Sequence, residues 1–216
     1  MFLGHLAVGF AAKRLAPSTS LGTLFAACEW IDLVWPVFLL AGWEQVRVHP
    51  GDTAFTPLEF VSYPFTHSLL MAAAWAVAFA VVYALRTRKT RAALVCGGVV
   101  LSHWFLDWLT HRPDLPLIPG GRKFGAGLWN SVPATLILEL TMFAAGVVSY
   151  TRMTRARDRK GAFGLIALVG FLAAVYAANV FGPPPPDESS VAWASLSLWL
   201  LPFWAAWADR HRESAR

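Results

Sequence analysis

Charged residues are scarce in this chain, and their scarcity excludes a soluble globular domain. Asp, Glu, Lys and Arg make up only 14% of the 216 residues, whereas soluble domains carry roughly 25%. Hydrophobic residues account for 56%, and Trp alone occurs 11 times. A composition this apolar indicates an integral membrane protein, whose length suits one membrane domain of about five to seven helices at ~20 residues each.

Cysteine is scarce as well, with Cys28 and Cys96 standing singly inside apolar runs. A disulfide framework is therefore not implied, and packing is the expected role of both thiols. The first residues contain neither a basic segment nor a small-residue cleavage site. We therefore expect residues 1–12 to form a short structural helix and not a removable signal.

Long apolar runs predict an all-α, polytopic membrane helix bundle with about six transmembrane helices after the short N-terminal helix. The predicted spans are 21–41, 66–85, 92–110, 132–150, 162–181 and 191–208. Asn130 or Ser131 can cap the fourth span. We treat 1–216 as a single membrane domain, in which 1–150 carries the candidate site and 162–208 adds two helices. Neither an internal repeat nor a broken helix is evident.

The net charge of +5 does not indicate nucleic-acid binding, because most basic residues lie in short clusters at predicted helix ends. The clusters occupy 13–14, 86–91, 152–160 and 210–216. Loops on the cytoplasmic side of a membrane carry such an excess of Lys and Arg. With all four clusters and the C-terminus on the cytoplasmic side, loops 42–65, 112–130 and 182–190 lie outside, and every span alternates without conflict.

Ionisable side chains inside the spans are costly to bury in lipid and therefore indicate function. His103 and Asp107 lie one helical turn apart on the same helix face, a spacing at which imidazole and carboxylate can bind one divalent metal. Alternatively, these two side chains only hydrogen-bond to each other inside the bundle. The remaining candidates are His5, Asp32, His67, His111 and Glu139.

Estimated depths along the helices put most of these candidates between the midplane and the outer face of the membrane. At ~1.5 Å rise per residue, the deeper ones lie ~17–23 Å above the inner ends of their spans. They are Asp32, His103, Glu139 and Asp107. His67 and His111 come near the outer surface. The convergence predicts a polar cavity that opens to the outside and holds one or two divalent cations, with Zn²⁺ favoured by the histidine content.

Four short motifs contain most of the candidate ligands. They are Gly4-His5, Ile31-Asp32-Leu33-Val34-Trp35-Pro36, Thr66-His67-Ser68, and Ser102-His103 followed by Asp107. Together they resemble the motifs of the YdjM-like membrane-bound metal-dependent hydrolases. Their order and residue types are also similar to the metal ligands of the zinc-dependent phospholipases C.

These resemblances imply a ligand set for this chain. It comprises His5, Asp32, His67, His103 and Asp107, with His111 and Glu139 as later ligands. Two departures from the family patterns reduce the implied metal count. Many relatives have a second Asp near position 32, and Glu139 lacks a His four residues before it. One or two ions are therefore expected, and not three.

The implied activity is that of a membrane-embedded metal-dependent hydrolase. Its metal would activate water, and Asp32 or Glu139, where free of metal, would accept the proton. The lipid bilayer is the expected partner, and a phospholipid or lipid-linked phosphoester at the outer leaflet is the expected substrate; the oligomeric state is left open. Arg112, Arg122 and Lys123 either bind an anionic headgroup or form an ordinary solvated loop.

Two other classes of function stay open at the level of sequence. Buried acids and histidines also form the ion pathways of cation or proton transporters and channels, although here the polar groups all lie in the predicted outer half. A third interpretation is a scaffold whose polar cluster only stabilises the bundle. Bound metal, ion flux in proteoliposomes and the thermal stability of alanine variants distinguish the three.

Overall fold

The computed structural model describes residues 1–215, and most of them lie in helices that pack as one bundle. The helices are α1 (Leu3–Ala12), α2 (Leu21–Cys28), α3 (Trp30–Leu40), α4 (Leu69–Thr87), α5 (Thr90–Thr110), α6 (Val132–Met153), α7 (Arg159–Phe181), α8 (Glu188–Leu196) and α9 (Leu200–Arg210). Among the described residues, α4, α5, α6, α7 and the joined segment α8–α9 are long and apolar enough to cross a membrane. The bent pair α2–α3 makes a sixth span. The all-α polytopic bundle predicted from the apolar runs is confirmed.

Side-chain caps determine where several helices begin. Ser20, Ser68 and Ser131 each accept a hydrogen bond from the backbone N–H three residues later, at the starts of α2, α4 and α6. Asp158 caps α7 in the same way. Each cap satisfies one of the N–H groups that a helix start leaves open. Of the two caps predicted for the fourth span, the structure uses Ser131.

The first predicted span is wrong as one uninterrupted helix. Residues 21–41 divide into α2 and α3, which are bent by 54°, and Glu29 at the break has φ −97° and ψ 3°. The bend accompanies a hydrogen bond in which His103 Nδ1–H donates to the Cys28 carbonyl at 2.9 Å. Hydropathy cannot reveal this break, because the bond joins residues far apart in the sequence.

Three small antiparallel sheets, which the sequence did not indicate, lie outside the helices. They pair β1 (Gln45–Val48) with β2 (Leu58–Ser62), β3 (Leu115–Pro116) with β4 (Lys123–Phe124), and β5 (Thr154–Ala156) with β6 (Arg212–Ser214). Val46 and Phe60 pair across the first sheet and point into the core. These strands are only two to five residues long, so their hydrophobic pattern is too short to predict them.

The described parts of the four basic clusters meet at one end of the bundle, which we call the basic end. There Lys13 Nζ donates to the Asp209 carboxylate at 2.8 Å and to the Thr19 carbonyl at 2.8 Å. The Tyr150 hydroxyl donates to the same carboxylate at 2.6 Å. Thr19 also bonds to Tyr83, near the turn between α4 and α5, at 2.9 Å. Helix ends distant in the sequence are thereby joined.

The segments 42–65, 112–130 and 182–190 gather at the opposite end, which we call the loop end. Val48 N–H donates to Glu188 at 3.1 Å, which joins the first of these segments to the start of α8. Lys123 donates to the Val61 carbonyl at 3.2 Å and joins the second segment to the first. The grouping of loops predicted from the alternation of spans therefore matches the fold.

An apolar layer separates the two ends. The ring of Phe10 contacts Phe25 edge-on, with 4.9 Å between centroids, and also meets Phe143 at 6.0 Å. Helices α1 and α6 approach closely beside this layer, because a Cβ at Gly146 would lie only 2.6 Å from the Ala7 carbonyl oxygen. Small residues allow such backbone contact between membrane helices. The contact fixes α1, whose first turns reach the candidate site.

Candidate metal centre

Five of the seven predicted ligands converge at the loop end of the bundle. The ligating atoms of His5, His103 and Asp107 lie within 4.8 Å of one another, and so do those of Asp32, His67 and His103. They come from α1, α3, α5 and the turn before α4. We call these five residues the histidine–aspartate cluster.

Asp107 lies at the centre of the histidine–aspartate cluster. Its Oδ1 is 3.0 Å from His5 Nε2, and its Oδ2 is 3.1 Å from His103 Nε2 and 3.8 Å from His67 Nε2. The α-amino group of Met1 lies 2.6 Å from Oδ1. The side chain of Asp107 is only 2% exposed, so its charge depends on these neighbours.

Asp32 closes the cluster on its accessible side. Its Oδ1 is 3.3 Å from His67 Nε2 and 3.6 Å from His103 Nε2. The Asp32 side chain is 24% exposed, whereas that of His103 is 1% exposed. A small molecule entering the site would therefore meet Asp32 before the more deeply buried imidazoles.

Two buried ring nitrogens in the cluster lack a hydrogen-bond partner within residues 1–215. The rings of His5 and His103 stack with 3.6 Å between centroids and 5° between planes. His5 Nδ1 and His103 Nε2 are both buried without a hydrogen bond, although buried polar atoms are normally bonded. Imidazole nitrogens and carboxylate oxygens are the donors that Zn²⁺ takes from proteins. The residues of the cluster therefore fit a divalent cation.

Hydrogen bonds outside the cluster fix which nitrogen of His67 and of His103 carries the proton in the neutral ring. The Thr66 hydroxyl donates to Glu44 Oε2 at 2.7 Å, so its single proton is committed. His67 Nδ1, 2.7 Å from the same hydroxyl, must then be the donor. His103 Nδ1–H likewise donates to the Cys28 carbonyl. Both rings consequently present an Nε2 lone pair to the cluster, as metal-binding histidines do.

Glu44 is a site residue that sequence reasoning missed. It is buried, and its Oε1 accepts the N–H groups of Phe65 and Thr66 at 2.8 and 2.9 Å. Glu44 thus holds both the backbone before α4 and the hydroxyl that orients His67. It lies in a loop just before β1, where no sequence periodicity relates it to position 67.

His111 adjoins the cluster but belongs to neither ligand set. Its Nε2 is 3.9 Å from Asp107 Oδ1, and its Nδ1 is 3.0 Å from Asp114 Oδ1. Burial lowers the pKa of His111, which favours the neutral ring. The Tyr63 hydroxyl donates to the same Asp114 oxygen at 2.6 Å, and burial, followed by Asp114, raises the pKa of Tyr63. Tyr63 and Asp114 are further neighbours of the site that the sequence did not indicate.

Glu139 of α6 also lies outside the two ligand sets. Its carboxylate contacts the start of α1. Its Oε2 accepts the backbone N–H groups of Phe2 and Gly4 at 3.0 and 3.2 Å, where the helix dipole favours an anion. Its Oε1 has no hydrogen-bond partner in the part of the chain that the structure describes. The contacts made by Oε2 hold the first turn of α1 and thereby position His5.

A cavity of about 680 Å³ opens onto the cluster at the loop end. One wall carries Asp32, His67, Asp107 and His111. The facing wall is built from the loop after β1, the end of α7, the start of α8 and the prolines at 183–186. The last helices therefore contribute to the surroundings of the site, beyond the 1–150 region expected to carry it.

The three basic residues of the loop after α5 do not line this cavity within the described chain. They are Arg112, Arg122 and Lys123. Arg112 instead pairs with Asp52, whose carboxylate lies 2.6 Å away. Arg122 lies over the ring of Phe124 at 5.2 Å, and Lys123 is bonded to β2. Of the two interpretations of these cations, the structure supports contacts within the loops.

Comparison with known proteins gives one family match. The family model described as YdjM inner membrane protein matches residues 52–182. The matched region contains His67, His103, Asp107, His111 and Glu139, and it begins after His5 and Asp32. No curated protein and no solved structure matches the chain significantly. The expected similarity to the zinc-dependent phospholipases C is therefore not shown.

Proposed function

The chain belongs to the YdjM inner membrane protein family, and from that premise we propose that this integral membrane protein is a metal-dependent hydrolase. The observation that carries the proposal is the histidine–aspartate cluster, in which ligating atoms from separate helices lie within 4.8 Å of one another. Ionisable groups inside a membrane bundle mark functional sites by default. Outer hydrogen bonds that aim two Nε2 lone pairs inward support metal binding in particular.

The proposed centre holds one or two divalent cations, with Zn²⁺ favoured. His5, His103 and Asp107 would hold one ion, and Asp32 and His67 a second. A ring nitrogen binds a single ion, so His103 serves only one of them. Asp107 directs Oδ1 toward His5 and Oδ2 toward His103 and His67, so its carboxylate would be available to the ligand sets of both ions.

In the proposed hydrolysis, the chain supplies the proton acceptor and the orientation of the ligands. A bound cation would lower the pKa of a coordinated water and polarise the scissile bond. When a single ion is bound and Asp32 is free of metal, Asp32 is the preferred proton acceptor, because it is partly exposed and lines the cavity. Glu139 is assigned to positioning α1 and His5, since its Oε2 accepts two N–H groups of that helix.

The substrate we favour is a phospholipid or lipid-linked phosphoester that reaches the site from the outer leaflet. The positive-inside rule would put the basic end, and with it the C-terminus, in the cytoplasm, so the cavity would open outside. Apolar side chains line this cavity opposite the cluster, among them Val180 of α7, Val191 of α8 and Leu198 in the turn between α8 and α9. That combination suits a molecule with an apolar chain and one polar ester group.

Ion or proton transport, the alternative use of the same residues, finds less support. An ion moving from the cluster toward the basic end would meet the apolar layer around Phe10, Phe25 and Leu24, all fully buried. There it would lose its ligands without gaining others, which is strongly unfavourable. The apolar layer is compatible with a site that opens on one face of the membrane.

Metal content and hydrolysis together test the proposal. We expect the purified protein to retain Zn²⁺ after dialysis and to release a phosphorylated headgroup from lipid substrates until a chelator is added. His103→Ala should lose metal, whereas His49→Ala, in an exposed loop, should keep it. Asp32→Asn changes a partly exposed position, where misfolding is not expected. This variant should reduce turnover while the protein stays folded.

Other outcomes would replace the proposal. Equal metal content in His103→Ala and the parent would show that the site lies elsewhere. Zn²⁺ flux in proteoliposomes without hydrolysis would favour transport. A folded parent that binds no metal, and whose alanine variants lose only thermal stability, would favour a structural role for the cluster.

A further inference from the structure

A second cavity lies at the basic end, away from the histidine–aspartate cluster. It is a shallow groove of about 470 Å³ between α7 and α9, which we call the α7–α9 groove. Arg159 and Lys160 line its polar end, and Phe163, Trp204 and Trp207 line the rest. The groove therefore runs from two cations to an aromatic surface.

The aromatic part of the groove faces outward on helices that qualify as membrane spans. Phe163 is 66% exposed and Trp207 is 43% exposed, although both belong to apolar helices long enough to cross a bilayer. In a membrane protein such surfaces contact lipid chains, and tryptophans are enriched where chains meet headgroups. Lys and Arg at helix ends extend toward the same level.

A glycine shapes the floor of the groove. A Cβ at Gly164 would lie 2.7 Å from the ring of Trp207, so a larger residue would displace that ring. Glycine allows Trp207 to approach the backbone of α7. The Trp204 ring is held from another side by Phe171, with 5.4 Å between ring centroids. The two tryptophans are thus fixed by packing.

The cations at the polar end are available to a ligand. Neither Arg159 nor Lys160 forms an ion pair with a carboxylate of residues 1–215. The nearby Asp158 already accepts the Gly161 N–H at 2.8 Å and lies 2.7 Å from His211 Nδ1. A phosphate would therefore meet two charges that the fold does not neutralise.

We propose that the α7–α9 groove binds an anionic phospholipid of the surrounding bilayer. Its phosphate lies between Arg159 and Lys160, and one acyl chain follows Phe163 and the two tryptophans. Basic pockets between membrane helices select anionic headgroups in this way. The positive-inside bias accounts for cations at this end, but not for an aromatic groove that begins at them. Arg86 and Lys89 offer a comparison, because they are exposed at the same end and line neither this groove nor the cavity at the loop end.

Tryptophan quenching tests the site in the full chain. The protein is reconstituted in phosphatidylcholine vesicles that contain brominated phosphatidylglycerol or, at the same mole fraction, brominated phosphatidylcholine. We expect stronger quenching by the anionic lipid. Arg159→Gln with Lys160→Gln should reduce this preference by about tenfold to thirtyfold, given the contribution of each cation near a membrane surface. Trp204→Phe with Trp207→Phe should remove the extra quenching.

The matched control is Arg86→Gln with Lys89→Gln, which removes the same charge from the same end and should leave the preference intact. Equal quenching of the parent by the two brominated lipids would overturn the proposal. So would an equal loss of preference in the control and in the Arg159/Lys160 pair, since binding would then follow net charge and not the groove. None of these results depends on hydrolytic activity.

Discussion

Asp209 at the basic end and Asp107 at the loop end are both largely buried carboxylates, but they face different kinds of partner. Asp209 accepts from Lys13 at 2.8 and 3.1 Å, from Tyr150 at 2.6 Å and from the Leu21 N–H at 3.0 Å. These donors keep their protons and leave the carboxylate saturated. Asp107 faces the Met1 ammonium and several imidazole nitrogens, and a neutral imidazole has one acceptor nitrogen that can bind a metal.

The comparison separates a structural polar cluster from a candidate ligand site within one molecule. Burial and charge are common to both ends, so neither identifies function alone. What differs is the character of the facing atoms: Asp209 faces donors alone, whereas Asp107 faces potential metal ligands beside the Met1 ammonium. The basic end holds its charges by itself, whereas the histidine–aspartate cluster is completed by a cation in the function that we propose.

The largest effect that could break this comparison is expected from Asp107→Asn. The amide is neutral and cannot serve as an anionic ligand, so Zn²⁺ affinity should fall by more than the about 100-fold seen at most for outer partners of metal ligands. Metal analysis after dialysis measures it. Asp209→Asn is the matched change at the basic end, and this variant should retain as much Zn²⁺ as the parent. Parent-like metal content in Asp107→Asn would contradict our assignment.

A large effect of another kind is expected from Asp209→Asn. Removing one partner of a buried ion pair leaves Lys13 uncompensated, which typically costs about 3–5 kcal/mol in the free energy of unfolding. Thermal or denaturant unfolding in detergent measures the loss. Adding Lys13→Met should recover part of it, because no unpaired charge then stays buried. Unchanged stability in Asp209→Asn would mean that this end is not held by its charges.

A moderate loss of Zn²⁺ affinity is expected when the hydrogen bonds that orient His67 are removed. Thr66→Val removes the hydroxyl that links His67 to Glu44, so Zn²⁺ affinity should fall about 10–100-fold. Thr151→Val is the matched control, because it loses a hydroxyl bonded to the Val148 carbonyl far from the cluster. Zn²⁺ titration of the two variants should differ. Identical affinities would show that orientation of His67 does not matter.

The smallest effect concerns the exposed cap of α7. The Gly161 N–H, followed by His211, lowers the pKa of Asp158. A carboxylate with a lowered pKa stabilises the fold above its ordinary pKa, and that stabilisation is lost as pH falls through the lowered value. The thermal stability of the parent should therefore exceed that of Asp158→Asn at pH 7, and the gap should close below about pH 4. A stability difference between parent and variant that grows as the pH falls would contradict this prediction.

Much of the site could be predicted because its parts follow local rules. The spacing of His103 and Asp107 is a property of any helix, and depth along a span follows from its fixed rise. These two rules place residues of different helices at one level, and the structure brings Asp32 and His67 to them. Nothing so local relates Glu44 to position 67.

The remainder depends on long-range contacts that one sequence does not reveal. The bend at Glu29 accompanies a bond to another helix, and the first sheet depends on the register between β1 and β2. Depth alone put Glu139 at the level of the cluster, but the rotation of α6 directs its carboxylate to the start of α1. Residues 183–186 form a wall of the cavity only because α7 and α8 pack over the site.

The two oriented histidines differ in how easily mutation could disturb them. His67 depends on two side chains, Thr66 and Glu44, and either can be lost in one step. His103 depends on the Cys28 carbonyl, an atom that every amino acid possesses. Substitution of the thiol therefore leaves the acceptor in place, and only a straightened α2–α3 would withdraw it. One half of the centre is thus intrinsically robust to genetic change, while the other is fragile.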